Sequence, residues 1–306
     1  MLGLELRDTL AIAVAVDGEG QVRARADATS ASDLASAAFE ALDRVAASIG
    51  ADGPPAGPGN PGNVGLGVAS MSPESPATAA VLAALGGRYA RPFVRDGATA
   101  SGTAAAMAEA WVGAARNVRD VVFFGVAEHT TAGIVRAGVP ATGAHGRAPA
   151  VAWLALNPVE REDYRRTGCL EAEVAAAGIV RRLVWRIKAG DHSGVQDLVN
   201  DDLGAITVEH LLAAARDHDG VAISVVRDTA KYLGMAAANL VAIADPEALV
   251  LGGLMASAAD LFLDPVRTEV GRRLPGPMLR TLAIAPAALG SDAAAIGAAR
   301  LAAAPR

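Results

Sequence analysis

One succession of sequence patterns occurs twice in this chain, and that repetition constrains the fold more than any single motif. In the first half, apolar runs at 2–7 ("LGLELR"), 10–16 ("LAIAVAV") and 21–27 ("QVRARAD") are separated by turn residues, Asp17-Gly18-Glu19-Gly20 dividing the last two. Short runs bounded in this way read as the strands of a meander. A helix follows over 33–49, where Leu34, Ala38, Ala41, Leu42, Val45 and Ile49 share one face and Ser30 with Asp33 makes a capping pair. The Pro/Gly stretch "ADGPPAGPGNPGN" (51–63) reads as a surface connector rather than a binding loop. After it come a strand "VGLGVAS", a helix near 77–86, a strand "RPFVR" and a long helix near 99–115.

The second half starts the same order again with strands at 119–126 ("RDVVFFGV"), 132–138 ("AGIVRAG") and 150–156 ("AVAWLAL"). A helical stretch runs from Leu170 through Ala244, then a strand at 248–253, a helix near 258–273, a strand at 279–286 and a last helix from Asp292. Two copies of one element order predict a duplicated α/β fold of two domains with a cleft between them. The chain's 306 residues suffice for two cores.

Composition narrows the function classes. Hydrophobic residues make up 52% of the chain, yet no apolar run approaches the roughly 18 residues of a spanning helix, so no membrane partner is expected. The first twenty residues lack the basic and then apolar segments of a secretory signal, which points to a cytoplasmic protein. A net charge of −6 and the lack of a basic stripe argue against nucleic acid. The single cysteine, Cys169, excludes an intrachain disulfide and a multi-cysteine zinc site. His145, set between Gly143 and Gly146, looks like the mouth of a polar site, but the chain then runs into oil from Ala150 to Leu156.

Several stretches resemble the ROK family of sugar kinases and repressors: "DPEALVLGGLMASAADLFLDPVR" (245–267), "APAALGSDAAAIGAARLA" (285–302), "AMAEAWVGAARNVRDVVFFGV" (106–126), "AGIVRAG", "GAHG" and "GCLEA" (168–172), in the family's order. The resemblance implies two ribonuclease H-like domains of the actin/hexokinase type, the last helix returning to the first domain. The boundaries expected are 1–115 plus 292–306 for the first domain and 116–291 for the second. It also implies, in active members, transfer of phosphate from ATP with Mg to a sugar hydroxyl, and commonly a homodimer.

The site positions depart from the family pattern. Where the family has Asp-x-Gly-Gly-Thr, this chain has Glu5-Leu6-Arg7-Asp8-Thr9, and the second phosphate loop becomes Ala127-Glu128-His129-Thr130-Thr131-Ala132-Gly133, keeping only Gly133. Asp8 and Glu128, if they faced the phosphates, would each cost on the order of 1 to 3 kcal/mol. The family's catalytic Asp falls on Ser101 when the chain is aligned back from Trp111 and on Ala98 when it is aligned forward from Pro92; a shifted alignment offers Asp96, either as the base or as an ordinary turn carboxylate.

A gap-free match of Gly143 to Trp153 puts Pro149, Ala150 and Ala152 where the family has Gly, Glu and Gly, and Trp153 in place of a His that supports sugar and zinc binding. Trp153 reads first as a packed strand residue and second as a stacking platform. The zinc pattern matches Glu162 to Cys169 with Cys169 alone surviving, so no zinc is expected. Glu171 keeps the position of a sugar-contacting Glu, although a first-turn carboxylate suits a helix dipole without any ligand. Gly252 and Gly253 match the nucleotide-side loop, or simply end a buried strand. His192, His210 and His218 receive no role.

Three functions are weighed: a pseudokinase that binds a small molecule, such as a sugar or derivative, in a pocket of Glu171, Trp153, Ser101 and His145; an active ATP-dependent sugar kinase using Asp96, Gly133, Gly252 and Gly253; and a regulator. The last is disfavoured because Met1 lies directly on the first strand, without a preceding helix-turn-helix.

Overall fold

The computed structural model describes residues 1–49, 65–88 and 97–303. The Pro/Gly loop 51–63, the "RPFVR" strand and Asp96 lie outside the described residues. The strands are β1 (Leu2–Leu6), β2 (Leu10–Val16), β3 (Val22–Thr29), β4 (Leu66–Ser70), β5 (Thr99–Ala100), β6 (Val121–Val126), β7 (Thr130–Arg136), β8 (Val139–Pro140), β9 (Ala248–Gly253) and β10 (Ala283–Pro286). In the first half the helices are α1 (Leu34–Ile49), α2 (Pro76–Arg88) and α3 (Ser101–Trp111). The second half holds α4 (Glu162–Thr167), α5 (Cys169–Val174), α6 (Ala176–Lys188), α7 (Val195–Leu198), α8 (Val208–Arg216), α9 (Gly220–Ala244), α10 (Leu254–Ser257), α11 (Ala259–Gly271), α12 (Gly276–Thr281) and α13 (Ala293–Ala303).

The duplication shows in the strand orders. One sheet runs β3-β2-β1-β4-β5 and the other, read from its far edge, β8-β7-β6-β9-β10, so each places its strands third, second, first, fourth, fifth. Both are mixed: β1 pairs β2 antiparallel and β4 parallel, while β7 and β8 are antiparallel and β9 and β10 parallel. Packing divides the chain into two compact units, 1–123 with 132–149 and 288–306, and 124–131 with 150–287.

Alternation along β2 explains how the first unit is layered. Ala11, Ala13 and Ala15 join Leu4, Leu6, Leu42 and Val45 in one core, while Ile12, Val14 and Val16 join Ala108, Ala295, Ile296 and Ala299 in another. The sheet is therefore buried on both faces, as period-2 side chains require when helices cover each side. The alanine-rich α13 sits very close to the sheet: a Cβ at Gly67 would fall 1.8 Å from the Ala298 carbonyl oxygen. Only glycine permits that approach. Asp33 caps α1 by accepting from the N–H groups of Ala35 and Ser36, and its own N–H donates to Ser30 Oγ.

In the second unit α9 is the central helix, with Val225, Val226, Leu233, Leu240 and Val241 buried. It starts at Asp219, whose carboxylate accepts from Ala222 N–H at 2.7 Å. His210 completes a capping box with Thr207 at the start of α8, a local structural part that its polar setting alone did not reveal.

Four expectations are corrected in this description. The run 150–156 is no strand: Val151–Trp153 form a single 3-10 turn, and the third strand of the second repeat is the short β8. A continuous apolar run is ambiguous between strand and helix, and here only Val151 is buried among residues 151–153. The helix expected from 99 begins at Ser101, after β5. The stretch from Leu170 to Ala244 is several helices, one break falling at Ala175, which is extended (φ −66°, ψ 159°) between α5 and α6. Within 279–286, residues 276–281 form α12, leaving only 283–286 as strand.

Candidate functional site

In the first unit, the β1–β2 turn spans residues 7–9 and is closed by Arg7 N–H donating to the Leu10 carbonyl at 2.8 Å. Glu5, 2% exposed, places a buried carboxylate one residue before the end of β1, and Arg7 Nη2 donates to Glu5 Oε2 at 2.9 Å and to the Ser291 carbonyl at 3.0 Å. The guanidinium thus stands where the family pattern has bare backbone. Ser101 opens α3 after the N-cap Ala100, which offers no side-chain cap. Gly133 packs its Cα against that same turn, a Cβ there falling 2.2 Å from the Gly102 carbonyl oxygen. His145 is exposed in a turn flanked by the positive-φ residues Gly143 and Gly146. Arg147, two residues on, is paired with both carboxylate oxygens of Glu74 at 3.0 and 3.1 Å.

In the second unit the β6–β7 turn also spans three residues, 127–129, with Ala127 N–H donating to the His129 carbonyl. Glu171 reaches it from the first turn of α5. Its Oε2 accepts from Thr130 N–H at 2.7 Å and Thr130 Oγ1 at 2.5 Å, and its Oε1 lies 2.8 Å from His129 Nδ1. Thr130 and His129 escaped the sequence reading as Glu171's partners, because 41 and 42 residues separate them from it and no local pattern signals the pairing.

Trp153 is 58% exposed, which corrects the packed-strand reading. The neighbouring backbone is held instead by Gly168: at φ +97°, with a Cβ position 2.2 Å from the Ala152 carbonyl oxygen, the turn between α4 and α5 admits only glycine. Gly252 is buried in β9, and Gly253 (φ +60°) lies so close to β6 that a Cβ would be 2.0 Å from the Val126 carbonyl oxygen.

The segment matching the zinc pattern is held by a protein-only tie. Tyr164 Oη donates to Glu173 Oε1, which also accepts from Arg161 Nη1 at 3.1 Å, while Arg182 Nη2 donates to Oε2 at 2.7 Å. Arg161 also stacks over the Tyr164 ring at 4.9 Å. Burial, then the bond to Glu173, pushes the Tyr164 phenol up to about 12. Cys169 is a buried free thiol packed on Tyr164 and Ala172. Among the described residues no three His, Cys, Asp or Glu side chains gather as metal ligands would. The donor set at this segment does not fit zinc, since one thiol stands alone among a phenol and paired charges.

A cavity of about 430 Å³ in this unit is lined by Glu173, Arg182, Asp228, Lys231, Tyr232, Met235 and Arg273. Its cations are matched within the protein: Arg182 with Glu173, Lys231 with Asp228 and Arg273 with Glu269. No described helix is long and apolar enough to cross a membrane.

Two mixed five-stranded sheets of the same internal order, with α13 packed back on the first, define the class: a duplicated α/β fold of the actin/hexokinase type. The ROK family model matches residues 79–304, and the chain belongs to the ROK family. It is 31% identical over 200 residues to a glucokinase of Halalkalibacterium halodurans, a match covering 63% of this chain and 59% of that protein. A second glucokinase, from Streptomyces coelicolor, is 33% identical over 44% of each chain, so this chain spans about half the length of the curated relatives it matches. Among solved structures, a ROK family glucokinase from Streptomyces griseus in complex with glucose and AMPPNP superposes with a TM-score of 0.78 at 22% identity, covering 98% of both chains. A ROK family transcriptional regulator, a homolog of the E. coli MLC protein, gives 0.80 at 18% identity, covering 99% of this chain and 77% of that one. At such identities the two structures speak for the fold alone. The chain is thus sugar-kinase-like in family and fold.

Proposed function

We propose that this chain is a ligand-binding member of the family that has lost phosphoryl transfer, a pseudokinase whose ligand is a small polyhydroxylated compound. The observation that carries the reading is the state of Glu171: both oxygens of the carboxylate aligned with the sugar-contacting Glu are engaged by Thr130 and His129 within the fold. Further support comes from Ser101, a hydroxyl that is no base at neutral pH, in the position one alignment gives to the catalytic Asp.

The residues at the two phosphate turns do not fit a triphosphate. Backbone N–H cradles need glycine, and here Arg7 is engaged by Glu5 and Ser291, Asp8 and Glu128 are exposed acids, and Gly133 is spent on packing. No phosphoryl step is derived through them. Gly252 and Gly253 remain the positions proposed for the nucleotide side, on their match to the family's loop. Trp153 and His145, both exposed, complete the set of proposed ligand contacts, and a homodimer is proposed on the family's habit.

The second reading, an active ATP-dependent sugar kinase with Asp96 as base, draws on the 31% identity to a glucokinase. Titration calorimetry with Mg-ATP, ADP, hexoses and N-acetylhexosamines, joined to a coupled turnover assay, separates the two. Sugar binding without turnover supports the pseudokinase. Micromolar Mg-ATP affinity with sugar-dependent turnover that Asp96→Asn abolishes would establish the kinase instead.

A further inference from the structure

The cavity beside Glu173 takes no part in the reading above, since none of its lining residues is among the proposed ligand contacts. One helix face supplies most of it: Asp228, Lys231, Tyr232 and Met235 follow one another on α9 at helical spacing. To these α6 adds Arg182, and the chain just past α11 adds Arg273. At about 430 Å³ the space suits a metabolite-sized molecule.

Guanidiniums outnumber the buried acids here, although the chain as a whole carries a net charge of −6. Glu173, 5% exposed, is bracketed by Arg161 and Arg182, and Glu269, 8% exposed, by Arg272 and Arg273. Arg161 is shared with Asp163, but Asp163 is also paired with Arg181.

Pairing by charge does not exhaust the donors. Arg273 uses only Nη1, which donates to the carbonyl and to Oε2 of Glu269, so its Nε and Nη2 edge makes no hydrogen bond among the described residues. That edge is a planar fork, the geometry that fits an oxyanion. Lys231 Nζ donates one bond, to Asp228 Oδ1 at 2.9 Å. Both partners of that pair are about half exposed, so parting them costs little.

We infer that this cavity binds a small phosphate monoester. The phosphate takes the Nε and Nη2 edge of Arg273 and draws Lys231 Nζ off Asp228, which leaves the Asp228 carboxylate to accept from a hydroxyl on the ligand's carbon skeleton. A carboxylate ligand would be filled by the Arg273 fork alone, whereas a dianion uses the lysine as well. Tyr232, with Arg182 over its ring at 5.5 Å, and the adaptable Met235 supply the apolar contact that a bare inorganic anion would leave unused.

Titration calorimetry on the full chain with glycerol 3-phosphate, glucose 6-phosphate, glycerol, glucose, inorganic phosphate and sulfate tests the inference. At least one monoester is expected to bind about tenfold or more tighter than its parent alcohol and than inorganic phosphate. Arg273→Lys keeps the charge and loses the fork, and is expected to weaken the monoester about tenfold. Lys231→Gln, on an exposed helix position where folding is not at stake, should weaken it about fivefold. Asp228→Asn should bring the affinities of monoester and inorganic phosphate closer together, because it removes the charged acceptor for the ligand hydroxyl. Arg165→Gln, which removes an exposed charge of the same unit away from the cavity lining, should change nothing. Equal weakening by Arg165→Gln overturns the site in favour of a general charge effect. Monoester binding that neither Arg273→Lys nor Lys231→Gln alters places it elsewhere and also overturns the site, as does equal affinity for sulfate, inorganic phosphate and the monoesters. Glucose affinity unchanged in Lys231→Gln keeps this test separate from the sugar-binding reading, which stands or falls on the hexose titrations alone.

Discussion

The turns β1–β2 and β6–β7 occupy equivalent places in the two repeats, each three residues long and each closed by a backbone hydrogen bond across its base. They differ in what blocks them. The first is filled by its own Arg7, which bonds Glu5 two residues away and the Ser291 carbonyl 284 residues on, whereas the second is tied by Glu171, which reaches in over 41 residues. A local pair needs only strand geometry to form. A long-range tie exists only once α5 has docked, so it reports on the assembled second unit as well as on the turn.

The largest expected effect breaks the local closure. Arg7→Leu strands the Glu5 carboxylate at 2% exposure without its cation and is expected to cost about 3 kcal/mol in urea unfolding. Glu5→Gln combined with Arg7→Leu should recover most of that loss. A cost of Arg7→Leu near zero would show that Glu5 is already satisfied elsewhere.

Breaking the remote closure comes next. Glu171→Ala removes the acceptor for Thr130 N–H and Oγ1 and is expected to cost about 2 kcal/mol. Amide exchange at Thr130 should quicken in this variant and stay unchanged in Arg7→Leu. Equal quickening in both would merge the two mechanisms.

Acid titration sharpens the contrast at another long-range carboxylate, Asp219, which ties residues 193–194 to the start of α9. Burial raises its pKa, but the amides of Ala222 and Gly194 lower it further, so the net position is below 3.8. A depressed carboxylate contributes stability that is present above its unfolded value and lost as pH falls through the folded one. Unfolding midpoints followed below pH 3.8 should therefore drop more steeply in the native chain than in Asp219→Asn. Parallel curves would remove Asp219 from the acid response.

The smallest effect belongs to the exposed pair of Arg147 and Glu74. Arg147→Ala should change stability by no more than about 0.5 kcal/mol, since both side chains are solvated. A larger change would make the loop around His145 a structural element in its own right.

Much of the first repeat was legible along the chain because its signals are local. Period-2 alternation located β1 to β3, and the Ser30-Asp33 pair marked the start of α1. The second repeat misled at 150–156, where an apolar run without alternation carries no record of which side chains face the core, and Trp153 ended exposed. Of the candidate site, Glu171 and Ser101 were identifiable as positions, while their partners, or lack of them, were not.

By itself the sequence determined the duplicated element order and the residues that stand in place of glycine, carboxylate and cysteine at the positions matching the family's motifs. Those are matters of periodicity and of residue identity in register. Only the tertiary structure decided that Glu171 is occupied by Thr130 and His129, that Arg7 reaches the Ser291 carbonyl, and that Ser101 Oγ and Thr103 Oγ1 find no hydrogen-bond partner among the described residues. Hydrogen-bond pairing depends on distances of about 3 Å between atoms that are far apart along the chain, and local sequence carries no measure of such distances.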